Sequence, residues 1–177
     1  MKDVVRNVDT VKRAIDSGLD INMRDERGYS LLHVVNDEEV AKYLIEIGAD
    51  VNARDRYGRT PLFLHSLFGN IGIMKILIEA GADIDAADKY GDTPLFVVLN
   101  PDCARLLIDA GANLNAVSNS GETPVHAYCY SDNYCDILKV LVDAGANINI
   151  RDINGKKPLE KASPKAYNFL HNHGAKK

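Results

Sequence analysis

Few residues in this chain have the types and spacing for chemistry. His126 and Cys129 stand three apart in "HAYC", on one face of a helix, and Cys135 follows. A zinc centre would need a fourth ligand and a tighter pair than Cys129 and Cys135, which five residues separate. Cys103 and Cys135 fall at apolar positions of helices, where a free thiol behaves as a small hydrophobe. His33 and His126 each occupy the slot after a "(T)PL"-like triplet, and neither has a base or nucleophile beside it. His65 has no evident partner, and His171 and His173 lie near the C-terminal end. Asp50, Asp83, Asp55 and Asp88 recur in register, so turn building accounts for them. Nucleophile elbow, P-loop and HExxH are all missing. These residues give no catalytic residue, no metal ligand and no cofactor, and the chain reads as a non-enzyme.

The elements that carry these residues repeat. The glycines of "GYSLL", "GRTPL", "GDTPL", "GETPV" and "GKKPL" are Gly28, Gly58, Gly91, Gly121 and Gly155, at intervals of 30, 33, 30 and 34. The glycines of "GLDIN", "GADVN", "GADID", "GANLN" and "GANIN" are Gly18, Gly48, Gly81, Gly111 and Gly145, with the same intervals. Two independent markers keep one rhythm, so the repeat is real. In each unit the triplet opens a helix, with Thr60 as a cap and Pro61 where a missing N–H costs nothing. A second apolar-periodic helix such as "IGIMKILIEA" ends at Gly, and "ADVNARDRYG" reads as an extended turn or hairpin. One unit cannot bury its own apolar face, so the units must stack.

Copies one, three and five lack three residues between their helices compared with the second. A first helix of little more than a turn is expected there. The second helices still have start signals: Asn36 with Glu39 as a capping box, Asn100-Pro101-Asp102, and Ser163-Pro164. The alternation of short and long predicts an uneven rim. The leading helix carries Asp9, Lys12, Arg13 and Asp16, and the last copy Lys156, Lys157, Glu160, Lys161 and Lys165. Both ends read as polar caps of a free-standing array.

Composition sets the remaining bounds. Of 177 residues, 46% are apolar and 26% charged, as in a folded soluble chain. The net charge of −4 gives no general attraction to nucleic acid. The sequence has no apolar run of membrane-spanning length and no signal-peptide core at its start. Three cysteines point to a reducing, cytoplasmic setting, unless the chain is exported without a signal peptide.

"DRYGRTPLFLHSLFGNIGIMKILIEAGADIDAA", Asp55 to Ala87, resembles a full ankyrin repeat, lacking only the usual small residues of the first helix. The resemblance covers residues 25–177. It implies an all-α solenoid of stacked helix–turn–helix units with hairpin-like loops. The units are 1–24 (a capping half-repeat), 25–54, 55–87, 88–117, 118–151 and 152–177 (a C-terminal cap). It makes His33 and His126 structural, hydrogen-bonding near the Thr and the next loop, and puts Cys129 where a small buried residue is usual. Leu44 lies eight residues before Asn52, similar to the context of ankyrin asparagine hydroxylation in animals; Asn22, Asn115 and Asn149 recur at the same place, so loop building accounts for Asn52 as well.

The resemblance also implies a protein partner, bound on the concave surface of hairpin tips and first helices. Tip residues differ between copies. The first three turns carry Arg27 and Tyr29, Arg56, Tyr57 and Arg59, then Lys89 and Tyr90; the fourth has Asn119, Ser120 and Glu122, and the fifth Ile153, Asn154 and Lys156. Tyr and Arg are enriched at interface hot spots. Leu67 and Phe68 end the first helix of the second copy, where family members have variable solvent-facing residues, and Tyr130 matches them in the fourth. The expected partner-binding set is therefore Arg27, Tyr29, Arg56, Tyr57, Arg59, Leu67, Phe68, Lys89, Tyr90 and Tyr130, used by a monomeric scaffold or adaptor. The alternatives are an inhibitor, immunity or host-directed effector protein that masks one target, a self-associating chain, and a metal-binding or hydrolytic protein that would carry metal when purified.

Overall fold

The computed structural model describes Val5 and residues 7–176; Met1–Val4 and Arg6 of the leading half-repeat, and Lys177, lie outside the described residues. Six nine-residue helices form one layer: α1 (Val8–Asp16), α3 (Glu38–Glu46), α5 (Ile71–Glu79), α6 (Pro101–Asp109), α8 (Cys135–Asp143) and α10 (Pro164–Asn172). The other layer varies in length. It holds α2 (Leu31–Val34), α4 (Pro61–Phe68), a 3-10 turn at Pro94–Phe96, α7 (Pro124–Cys129) and α9 (Pro158–Lys161). Thus the missing residues shorten the first helix and its turn and leave the second helix intact.

The second helices end alike for a shared reason. After α3 the N–H of Gly48 bonds to the Ile45 carbonyl and that of Ala49 to the Leu44 carbonyl, a Schellman closure. It needs a left-handed residue at position 48, where φ is 96°, and only glycine adopts that freely. The following alanine is buried, which explains the recurring "GA". Helix starts follow their caps. Thr60 and Asn100 accept from the N–H of Phe63 and Cys103. At α3 the cap is Asp37, accepting from Val40, and not the expected Asn36; the helix begins one residue later than the Asn36–Glu39 pair implied.

Between helices the chain makes turns, with no strand among the described residues, so the anticipated hairpins reduce to stacked turns. Asp25, Asp55 and Asp88 each accept from the N–H groups two and four residues on, which closes the tip. Two ladders then tie unit to unit. At the tips the N–H of Arg56, Lys89, Asn119 and Ile153 donates to the carbonyl of Arg27, Tyr57, Tyr90 and Ser120. Nearer the second helices Asn22, Asn52, Asp85, Asn115 and Asn149 accept from the N–H of Asp50, Asp83, Asn113, Asn147 and Lys176. Asn52 is one rung of this second ladder. Arg24 and Arg54 extend the scheme by donating to the Arg54 and Ala87 carbonyls of the next unit.

One continuous apolar core runs the length of the stack, with Leu31, Leu44, Leu62, Leu77, Leu95, Leu107, Leu138, Leu141 and Leu170 fully buried. Stacking pairs α2 with α4, α3 with α5 and α6 with α8. The short first helices leave carbonyls that no helical N–H reaches. In the first and third copies the long neighbour supplies a donor. His65, which the sequence left without a partner, donates from Nε2 to the Leu32 carbonyl at 2.8 Å, while its Nδ1 accepts from Asn70. Tyr128, at the matching register of the fourth copy, shares its hydroxyl proton between the Leu95 and Val98 carbonyls at 2.9 and 3.1 Å. Short and long copies therefore fold as mutually completed pairs.

Candidate functional site

Held by those Asp-closed turns, the tips of the first three copies line up their side chains. Arg59 anchors the row. It donates to Asp55 at 2.8 Å, and to the Tyr29 hydroxyl at 3.0 Å. Its guanidinium lies 4.8 Å from the Tyr57 ring centre and 5.9 Å from that of Tyr29. Lys89 lies 4.0 Å from the Tyr57 ring centre and 4.9 Å from that of Tyr90. The result is a run of alternating rings and cations, Tyr29–Arg59–Tyr57–Lys89–Tyr90, with distances in the range of cation–π attraction. Tyr57 and Tyr90 remain exposed despite these contacts.

Beside this row lies a cleft of about 660 Å³. Its walls are Tyr29 and Arg27 from the first tip, Val34 and Asn36 from the end of α2, and Leu64 and Phe68 from α4. It exists because α2 stops after four residues while α4 runs for eight. Phe68 is 66% exposed at its rim. A smaller hollow of about 380 Å³ adjoins it, sharing Arg27 and Tyr29 and adding Glu26, Arg56 and Tyr57.

The histidines in and near the cleft are neutral supports. His33 accepts from the Ser30 N–H at Nδ1 and donates from Nε2 to the Arg59 carbonyl; burial holds its pKa below the ordinary value. His126 repeats this with Thr123 and the Lys156 carbonyl, and burial lowers it likewise. Phe63 and Phe96 replace this histidine in the second and third copies. Burial pushes His65 down to about 4.

Of the ten expected contact residues, seven tip residues plus Phe68 line up along this face or its cleft. Leu67 parts company with Phe68: it is half-buried and turned from the cleft lining, so the expected exposed Leu–Phe pair is a single exposed Phe. Tyr130 belongs to another cluster. Its hydroxyl donates to Glu122, and Lys161 lies 5.8 Å from its ring centre while pairing with both Glu122 and Asp152. Burial, with the neighbouring Glu122, raises the Tyr130 hydroxyl to about 12. The acidic end of the face is also tuned: burial and the nearby Asp88 and Glu122 raise Asp92 to about 6. Val34, Asn36 and Leu64 went unforeseen as cleft walls; the signal available was the missing triplet in the first copy.

The metal constellation does not assemble. Cys129 directs its thiol at the His126 and Pro158 carbonyls, and both nitrogens of His126 are engaged. Among the described residues no group of three His, Cys, Asp or Glu is placed to hold a metal ion. All three cysteines are buried, and burial pushes Cys129 up to about 12. Among the described residues no helix is long and apolar enough to cross a membrane.

No curated protein matches the chain. A family model of ankyrin repeats in three copies does, in overlapping stretches at 3–88, 35–118, 69–152 and 97–176. With those matches spanning nearly every residue, and with stacked helix pairs closed by the same turns throughout, the chain belongs to the ankyrin-repeat family.

Proposed function

We propose that this chain is a scaffold or adaptor that holds a partner protein against the tips and first-helix ends of its first three copies. Ankyrin repeats are in general protein–protein interaction modules and typically non-enzymatic. The observation that carries the reading is the run of rings and cations from Tyr29 to Tyr90, in which Tyr29 and Arg59 are half-buried and Tyr57, Lys89 and Tyr90 are exposed. Folding needs turn tips that are polar and compact. It does not need exposed tyrosines flanked by cations, and such residues are the ones interfaces use as anchors. The fourth tip, with Asn119, Ser120 and Glu122, lacks this character, so the stripe belongs to one end of the stack.

A photo-crosslinking residue tests the placement. Benzoylphenylalanine is introduced at Tyr57, at Tyr90, or at Lys139, which is exposed on α8. Irradiation in lysate from the source organism should yield the same covalent protein adduct from Tyr57 and Tyr90, and none from Lys139. An adduct formed from Lys139 alone would overturn the placement.

A further inference from the structure

The cleft beside the first copy says something about the chemistry of the partner. Its apolar wall is Phe68, Leu64 and Val34, with Phe68 the most solvent-exposed of the three. An aromatic ring left in water at the rim of a concave surface gains by covering. The adjoining hollow is different in kind. Arg27 and Arg56 face it from successive tips whose backbones are hydrogen-bonded at 3.1 Å. Neither guanidinium has an ion pair among the described residues. The neighbouring cations are occupied: Arg24 with Asp50, Arg59 with Asp55, and Lys89 over Tyr57.

Charges around the pair set the sign and size of what it accepts. Asp25 spends one oxygen on the N–H groups of Arg27 and Tyr29, and Asp55 is held by Arg59. Glu26 lines the hollow and is exposed. In the hollow the two unpaired cations face the Glu26 carboxylate, with the Asp25 carboxylate on the cleft side, so the pair suits a singly charged carboxylate better than a dianionic phosphate.

We infer that the partner enters as an extended acidic segment, with one large apolar side chain seated on Phe68, Leu64 and Val34 and a nearby Asp or Glu carboxylate between Arg27 and Arg56. This rests on the proposed function, since it places the segment on the same face. The cleft and the hollow share Arg27 and Tyr29, so anchor and carboxylate lie within a few residues of each other.

The test uses random linear peptides displayed on phage and selected on the full chain. Enriched peptides should pair a Leu, Ile, Phe or Met with Asp or Glu close by. A synthetic peptide from that set should bind roughly tenfold or more weakly to Arg27→Glu/Arg56→Glu and to Phe68→Ser. It should also weaken as salt rises. All three positions are exposed, so the variants keep the fold, and Lys75→Glu on α5 should bind like the parent. Enrichment of basic or purely apolar peptides that still need Phe68 would overturn the chemistry and leave the face standing. Acidic peptides indifferent to all three substitutions would overturn the site, and the face with it if crosslinking at Tyr57 also fails. Failure to enrich any peptide would overturn the linear-segment inference; a folded partner crosslinked at Tyr57 would then keep the proposed function.

Discussion

Replacing Tyr128 with Phe removes one oxygen from a site that is otherwise unchanged. The hydroxyl lies in the core, with the residue 3% exposed, and it is the donor shared by the Leu95 and Val98 carbonyls. Those carbonyls lie in and just past the 3-10 turn Pro94–Phe96, so no helical N–H follows to take them. Loss of a buried donor costs the hydrogen bond and leaves acceptors without a partner, about 1–3 kcal/mol together. The ring itself stays packed against Tyr134 at 5.8 Å between centres, so no cavity forms. Taking about 2 kcal/mol, and about 2–4 °C per kcal/mol for a chain of this size, the melting temperature should fall by about 4–8 °C. Differential scanning calorimetry of Tyr128→Phe beside Tyr57→Phe reads this directly. Tyr57 is exposed, so its hydroxyl should matter by no more than about 0.5 kcal/mol. A Tyr128→Phe protein that melts with the parent would refute the idea that long copies complete short ones. Burial also drives the Tyr128 hydroxyl far above its usual pKa, so it should remain a proton donor throughout the alkaline range in which the fold persists.

Acid should weaken the fold through His65. Its folded pKa of about 4 lies below the ordinary 6.5, so the unfolded chain takes up the proton more readily. The stability is fully present above pH 6.5 and is lost as pH falls from there through 4, by about 3 kcal/mol at one pH unit per 1.36 kcal/mol. His33 and His126 are lowered too and act in the same sense. Urea unfolding at a series of pH values should show the fall, and an NMR titration of His65 with an ordinary midpoint would contradict it. Glycine substitutions should separate two costs. Gly28→Ala combines a φ of 81° with a Cβ placed 2.9 Å from the Arg56 nitrogen, whereas Gly48→Ala meets only the positive φ, with open space around it. Gly48→Ala should cost about 1 kcal/mol and Gly28→Ala clearly more, because the turns must part. Equal losses in denaturant titrations would mean the close approach of the tips is unimportant.

The repeat was legible because its punctuation is backbone geometry. Gly48 and Gly28 stand where φ is positive, Pro61 where an N–H is dispensable, and Asp55 where a tip must be closed. Such requirements act within a few residues and leave a mark at fixed intervals. Even the truncation of α2, of the turn at Pro94 and of α9 follows from counting residues between two glycines. What escaped depends on distant pairs. His65 and Leu32 are 33 residues apart, as are Tyr128 and Leu95, and each bond exists only because a neighbour is short. Asn36 and Asp37 are both good caps, and the choice between them depended on where α3 could begin in the stack. Leu67 and Phe68 are adjacent and equally apolar, but successive helical positions point in different directions, so only Phe68 reaches the cleft. The tip residues were readable as candidates since they vary where the scaffold does not constrain them.

Two copies are shortened before a long neighbour, yet the consequences differ, and the difference gives the proposed site a direct test. Beside the turn at Pro94 the vacated space takes the large ring of Tyr128, backed edge-on by Tyr134. Beside α2 the same register holds His65, a smaller ring that satisfies Leu32 and leaves a cleft with Phe68 at its rim. A tyrosine could donate to the Leu32 carbonyl as well, but it would give up the bond that His65 Nδ1 accepts from Asn70. His65→Tyr is that test. Extra ring atoms have open cleft to enter, and the hydroxyl keeps a donor at the end of α2, so the fold should persist with a melting temperature within a few degrees of the parent, about 1 kcal/mol of stability. Binding of the selected acidic peptide should drop by roughly tenfold or more, since the anchor's seat is now filled. A His65→Tyr protein that folds and binds as tightly as before would mean that the anchor does not enter the cleft, and that the partner reads the tips alone.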